Sequence, residues 1–401
     1  MPQLTVVGVG GSKIDISIRS AAVASIASQI LAMISDQVAH GNLTPYAFDG
    51  IGPLGAPSNP GYLIVTGPGA ASLPASTAAV VDVANGPALL FGGTAASQVV
   101  VSDAPLTYFA NSGVGTVVAS GGGSTLVTDR TGGGDHLFVT DGNGNRILAF
   151  SGDDTIETAS GRNSILLGSG NDLVVVKGGQ DSILAGSGND TVDVVSGTAI
   201  VQGGSGTLVF ANGSGAATVF GSTGSVTVTG GNGGGVYHGG TAGNNLLIGG
   251  LAATTLFGGG NNDLLIGESS THDKLIAGSG NETLIGMGSG SDTFFGGSGA
   301  DSMQGGFGRN TFVAGSGGGT MTGGLAGNLY EFVDDRSHGN FVVSDFTQGV
   351  DKIRLIGGDH HAVGQALASQ VDAGGNVTLQ LGDNTRVTFL NVSHLDRSSF
   401  S

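Results

Sequence analysis

Gly168-Ser169-Gly170-Asn171-Asp172-Leu173-Val174 returns eighteen residues later as Gly186-Ser187-Gly188-Asn189-Asp190-Thr191-Val192. Each copy is a glycine turn, an acid and the start of an apolar strand. Gly178-Gly179-Gln180-Asp181-Ser182-Ile183 stands between them, which halves the unit to nine residues. Gly288-Ser289-Gly290-Ser291-Asp292-Thr293-Phe294 and Gly297-Ser298-Gly299-Ala300-Asp301-Ser302-Met303 repeat the pattern, and Gly280-Asn281-Glu282 puts a glutamate in the acid position. Outward from these copies, an apolar residue recurs every nine or ten residues from Phe91 to Tyr330. A fixed short period means one strand plus one turn per unit, stacked on its neighbours. Two units then make one eighteen-residue turn of a flattened coil, with apolar alternates pointing inward from two facing sheets. The fold class expected is all-β, a parallel β-solenoid with a small N-terminal α/β cap and a C-terminal β end domain.

Composition fits this reading. Glycine supplies 79 of 401 residues without a collagen triplet, and all nine prolines lie at or before Pro105. Proline cannot donate to a strand ladder, so its absence beyond that point suits continuous stacking. Three segments are expected. Residues 1–78 would hold short strands at Leu4–Val9 and Ile14–Ile18, one helix over Ser20–His40 and a proline-rich loop or linker over 45–76. Residues 79–332 would be the coil, and residues 333–401 a separate β end piece. In the helix, Val23, Ile26, Ile30, Met33, Ile34 and Val38 fall on one stripe, with Ser20 as N-cap and Gly41 as stop. It would either cap the open end of the coil or dock another subunit.

The acids carry the chemistry. Calcium takes six to eight oxygen ligands, and two stacked glycine turns can offer carboxylates together with carbonyls. Glycines allow positive φ in such turns. Residues eighteen apart share an edge of the coil. One edge carries Asp154, Asp172 and Asp190, then Asp263, Glu282 and Asp301. The other carries Asn163 and Asp181, then Asp273 and Asp292. The turn glycines Gly168, Gly170, Gly186, Gly188, Gly288, Gly290, Gly297 and Gly299 belong to the same candidate sites. Between the two patches the matching positions are Ala199, Leu208, Ala217, Val226, Gly235 and Asn245, so the middle should stack without metal. Several calcium ions are expected, with partial occupancy of the turns. The alternative role for each Asp is a turn former bonded to its own backbone; Asp135 and Asp153 are assigned to it.

With these motifs on the page, the chain resembles the RTX proteins, whose glycine- and aspartate-rich nonapeptide repeats form a calcium-loaded parallel β-roll. The resemblance covers roughly residues 80–332, with strict motifs near 150–195 and 258–305. The stretch from Val343 to Leu355 (VSDFTQGVDKIRL) looks like the C-terminal targeting segment of such proteins. Asn391 to Ser401 is similar to their uncleaved secretion signal. The resemblance implies export by a type I secretion transporter of a Gram-negative bacterium, and a secreted or cell-surface location.

Other classes are disfavoured. Net charge is −17, and no basic residue lies between Lys177 and Lys274, so nucleic acid and anionic membranes are poor partners. No eighteen-residue apolar stretch predicts a membrane span, and the N-terminus lacks a classical secretory signal. There is no cysteine, HExxH or GxSxG, so the expectation is not an enzyme, with no catalytic residues. The favoured function is a calcium-binding structural protein that assembles with itself into a filament, biofilm matrix or surface layer. A cell-surface adhesin, with polysaccharide as partner, is the alternative, and a remnant toxin or enzyme the third.

Overall fold

The computed structural model describes residues 3–18, 21–52, 54–55, 60–93, 97–110, 113–128, 134–382 and 385–401. The chain is an all-β parallel β-solenoid that divides into two compact units, residues 1–206 and 207–401.

In the first unit, consecutive strands alternate between two parallel sheets. One holds Thr44–Phe48, Gly61–Val65, Thr77–Asp82, Ser97–Ser102, Val114–Ala119, His136–Thr140, Thr155–Thr158, Leu173–Val176 and Asp190–Val194. The facing sheet runs from Gly69–Ser72 through Ala88–Phe91 to Thr198–Gln202. Pairings such as Leu173 with Thr191 and Ser164 with Ser182 set the eighteen-residue register. The parallel ladder already begins at Thr44–Phe48 paired with Gly61–Val65. The described residues of 45–76 are therefore coil rather than linker. Among their described prolines, Pro60, Pro68 and Pro74 sit between strands, where no ladder donor is needed, and Pro45 sits within the first strand.

The second unit alternates in the same way, from Leu208–Asn212 and Ala217–Phe220 onward. Nor does the ladder stop at residue 332. Asn340–Val343 pairs parallel with Gly319–Thr322, and Lys352–Ile356 pairs parallel with Leu329–Val333. The steps here lengthen, as in Leu329 to Lys352, because the turns carry insertions. Only then does the pattern change. Arg386–Phe389 pairs parallel with Asn340–Val343 on one side and antiparallel with Asn376–Gln380 on the other. Val371–Ala373 and the short helix Ala362–Ala368 complete that end.

The inward column confirms the apolar ladder from Ile147 to Tyr330, where every expected rung is buried. Five earlier rungs are corrected: Phe91, Phe109, Val118, Val127 and Leu137 each stand one residue off the inward column, which runs through Leu90, Tyr108, Val117, Leu126 and Phe138. Phe91 and Phe109 are 41 % and 38 % exposed, while Leu90 and Tyr108 are 0 % and 2 % exposed and pair with each other across the coils. Side chains alternate along a strand, so a slip of one residue exchanges inside for outside. The sequence hides this slip because both neighbours are apolar.

That ambiguity has a cause in the other sheet, whose two faces are both buried. Val80, Val100, Val117 and Phe138 form one column facing the interior. Their neighbours Val81, Val101, Val118 and Val139 form the outward column. That column packs beneath helix α1 (Ala21–Ala39) and the antiparallel hairpin Gln3–Val7/Lys13–Ser17. Strands buried on both faces read as apolar runs rather than alternations. Val23, Ala24, Ala27, Ile30, Leu31 and Ile34 of α1 face this sheet, whereas Met33 is 59 % exposed. The helix therefore covers the flank of the coil rather than its open end. Gly41, at φ 74°, ends it as expected; the expected N-cap Ser20 lies outside the described residues.

The slip yields a direct test. Leu90→Ala should cost about 2–5 kcal/mol of unfolding free energy, the usual range for a buried leucine. Phe91→Ala should cost under about 1 kcal/mol because its ring lies outside. Chemical denaturation of the two variants reads the difference, and equal costs would contradict the assigned register.

Candidate calcium-binding turns

The turn glycines are demanded by close approach. A Cβ on Gly188 would lie 1.5 Å from the Gly170 carbonyl oxygen of the preceding coil, and one on Gly186 would lie 1.7 Å from that of Gly168. The same holds for Gly168 against Phe150 (2.1 Å), Gly170 against Gly152 (2.0 Å), Gly288 against Ser269 (1.9 Å) and Gly290 against Thr271 (1.7 Å). It holds again for Gly297 against Gly278 (2.1 Å) and Gly299 against Gly280 (1.5 Å). Of these eight, only Gly170 has φ in the positive range, at 138°. Positive φ, the expected reason for these glycines, therefore applies at one position, and contact between stacked backbones decides the rest.

This stacking lines up the acids. His136 donates its backbone N–H to Asp154 Oδ1 (2.8 Å), Asp154 to Asp172 Oδ1 (2.8 Å) and Asp172 to Asp190 Oδ1 (3.2 Å). On the opposite edge Asn145 donates to Asn163 Oδ1 and Asn163 to Asp181 Oδ1. In the second unit the N–H of Glu282 meets Asp301, that of Asn245 meets Asp263 and that of Asp273 meets Asp292. The column continues through Asn310 and Asn328 to Asp351. One oxygen of each side chain thus caps an N–H one coil earlier, a task that Asn and Asp share. The eighteen- and nineteen-residue spacing of the asparagines was the available signal for this wider ladder.

The second oxygen separates the candidates. Asp190, Asp263, Asp273 and Asp301 each accept a further backbone N–H from the residue four earlier, namely Gly186, Gly259, Ser269 and Gly297. Asp181 Oδ2 accepts from the Thr158 hydroxyl at 2.5 Å. These five are held as turn formers are. By contrast, Oδ2 of Asp154, Asp172 and Asp292 and both carboxyl oxygens of Glu282 are buried without a hydrogen-bond partner. A buried carboxylate oxygen left unpaired costs about 1–3 kcal/mol or more.

The electrostatics follow. Burial, with the charges of Asp154 and Asp190 above and below, pushes Asp172 up to about 7. Burial and Asp273 push Asp292 up to about 6. Burial raises Asp181 and Asp190 despite their donors. Glu282 and Asp301 are both raised, chiefly by burial, as two acids of one column. A divalent cation beside the unpaired oxygens would reverse this cost, so the residues fit calcium. Among the described residues no three acidic or histidine side chains converge on one point. Backbone carbonyls of the glycine turns would have to complete the shell, and a carbonyl that already accepts one N–H keeps a second lone pair for the task.

Four copies of the RTX calcium-binding nonapeptide repeat match the chain, over residues 148–183, 166–200, 239–271 and 288–321. The chain is an RTX-type repeat protein. The matched segments contain Asp154, Asp172, Asp181, Asp190, Asp263, Asp292 and Asp301, and pass over the acid-poor stretch between 200 and 239. Asp273 and Glu282 lie outside them. No curated protein matches the chain.

The two classes of acid in the RTX turns should behave differently. Asp172→Asn removes an unpaired buried charge. It should stabilise the chelated protein and reduce the gain from calcium, which for one site at a hundred times its dissociation constant is about 2.7 kcal/mol. Asp190→Asn should instead destabilise the chelated protein, since an amide nitrogen turned toward Gly186 N–H offers no acceptor. Calcium titrations followed by thermal unfolding separate the two. The pH dependence has a definite sign. Acids whose folded pKa lies above the unfolded value stabilise the fold fully below about pH 4. That contribution is lost as pH rises toward the values near 6 and 7 of Asp292 and Asp172. In chelator, the melting temperature should therefore fall between about pH 4 and 7; calcium should flatten that slope.

Proposed function

We propose that this RTX-type chain is a secreted calcium-binding structural protein that assembles with copies of itself into an extracellular filament, matrix or surface layer. The carrying observation is the extent of the ladder: parallel strands succeed one another within each unit, from Thr44–Phe48 to Thr198–Gln202 and from Leu208–Asn212 to Lys352–Ile356. Among the described residues, a hairpin and α1 precede them. Such coils are built for periodic surfaces rather than for a reaction cleft, which supports a structural rather than an enzymatic role. No described helix is long and apolar enough to cross a membrane.

Export by a type I transporter rests on the likeness of residues 343–355 and 391–401 to the family's targeting and terminal signals. Calcium would then act as the folding switch, since the unpaired acids of the turns penalise the ion-free coil. The chain has no cysteine, so no disulfide can supply that stabilisation.

Light scattering and negative-stain microscopy test this reading on the full chain in calcium and in chelator. Filaments or sheets that form with calcium and dissolve in chelator are expected. A compact monomer in both conditions would overturn the assembly role.

A further inference from the structure

The outer faces of the coil are not all polar, and the first unit shows what an apolar outer column means in this chain. There the outward column Ile64, Val81, Val101, Val118, Val139 is covered by α1 and its hairpin. In the coils beyond, the same column turns to Glu157, Val175 and Asp193. On that flank the unbroken apolar run ends where the cover ends, while the facing sheet keeps exposed apolar residues such as Phe91, Phe109 and Leu184.

The second unit carries a comparable column without such a cover among its described elements. Phe220, His238, Phe257, Ile276, Phe295 and Val313 are paired in register on successive coils, and all reach solvent, Phe220 at 43 % exposure. The next two members, Glu331 and Arg354, form an ion pair at 2.7 Å that ends the apolar run. Burial holds His238 below its ordinary range, so it adds no charge at neutral pH. Beside this ridge, two residues earlier on each strand, runs a lower column of Thr218, Val236, Thr255, Lys274, Thr293 and Thr311. Lys274 is the only charged residue of the two columns, and its ammonium lies 5.3 Å from the Phe295 ring centre.

The rings indicate what can sit here. Phe220, His238 and Phe257 stack face to face, at 5.0 and 4.2 Å and within 19° of parallel. Their faces are used on one another, so they present edges outward. Both faces of His238 and one face each of Phe220 and Phe257 are taken in this way, which leaves a sugar less aromatic face to pack on. A surface that repeats at the same coil spacing fits better, and the adjoining column offers one, with side chains shorter than the ridge residues except at Lys274 and Thr311.

We propose that this face of the second unit is a lateral interface with a second copy of the chain, the aromatic ridge of each copy lying in the threonine column of the other. The contact is isologous, so each ridge meets a column of equal length. Six coils at about 4.8 Å, with strands near 13 Å long, give about 400 Å² per copy in plan, or about 800 Å² for the pair. That is below the usual range for a stable dimer, so the contact is weak pairwise and is reinforced when many copies stand side by side. Absence of carboxylates from both columns matters in a chain of net charge −17, because this face brings no acid against acid. The competing route, addition of strands at the coil's open edge, is hindered at Thr44–Phe48 by Pro45, which lacks an N–H.

The inference rests on the self-assembly reading and selects its geometry, and the test separates the two. Sedimentation velocity of the full chain in calcium compares wild type with the double variant Phe257→Glu/Phe295→Glu over a concentration series. Association of the wild type, with the variant needing at least about tenfold more protein, is expected. The cysteine-free chain also allows a single-thiol test: a bis-maleimide long enough to span packed sheets, about 10 Å apart, should link Thr255→Cys on the face into a dimer, and Thr283→Cys on the opposite sheet should not. Equal association of variant and wild type, or equal cross-linking of both thiols, would overturn this face while leaving assembly standing. A wild type that stays monomeric to its solubility limit would overturn both. Protection of the Thr255→Cys thiol from maleimide by dextran, in monomeric protein, would reassign the face to a polysaccharide. Should the charged variant misfold by circular dichroism, the two cysteine variants still decide.

Discussion

Backbone contact between successive turns is the constraint on which the coil depends. A carbonyl oxygen of one turn sits where a Cβ of the next would be, at 1.5–2.1 Å for the eight glycines of the best repeats. Only hydrogen fits there. The contact holds at a spacing of eighteen or nineteen residues, and that spacing puts each of these strands in register with its predecessor. A single side chain at such a position would force two coils apart and break ladder hydrogen bonds on both sheets. The glycine content is thus a packing requirement before it is a matter of flexibility.

The same register creates an electrostatic problem. Whatever acid stands in one turn stands directly against the acid of the next, in a buried position. One carboxyl oxygen is accommodated by capping an N–H of the preceding coil, which is why asparagine can replace aspartate in the columns. The second oxygen is accommodated at Asp190, Asp263, Asp273 and Asp301 by an N–H from within the same turn. At Asp154, Asp172, Asp292 and Glu282 it is left unpaired. The unpaired positions are those where a cation would change the balance most, so calcium held there would make ion binding and folding stability one quantity in these turns.

On one flank of the first unit, the fold handles apolar surface by covering it. In the first unit α1 and the hairpin lie over a column that would otherwise be a valine stripe facing water. The aromatic column of the second unit has the same character and lacks that cover. A coil whose interior is only one side chain deep on each sheet cannot fold such residues inward, so they remain at the surface.

The sequence by itself determined the period, and with it the parallel coil, the inward column from Ile147 to Tyr330 and the two acid patches, because stacking makes position in the repeat equivalent to position in space. It also placed the helix and its glycine stop. Tertiary structure decided where the coil begins, since Thr44–Phe48 and Gly61–Val65 lack the glycine-acid signature and are recognisable only by whom they pair with. It decided which of two adjacent apolar residues points inward at Leu90–Phe91 and Tyr108–Phe109, a choice that hydropathy alone leaves degenerate. It placed α1 on the flank rather than over the open end, through contacts between residues far apart in the chain. And it divided equivalent-looking aspartates into satisfied and unpaired, because that depends on whether an N–H four residues earlier turns toward the carboxylate, a local geometry that the repeat pattern does not encode.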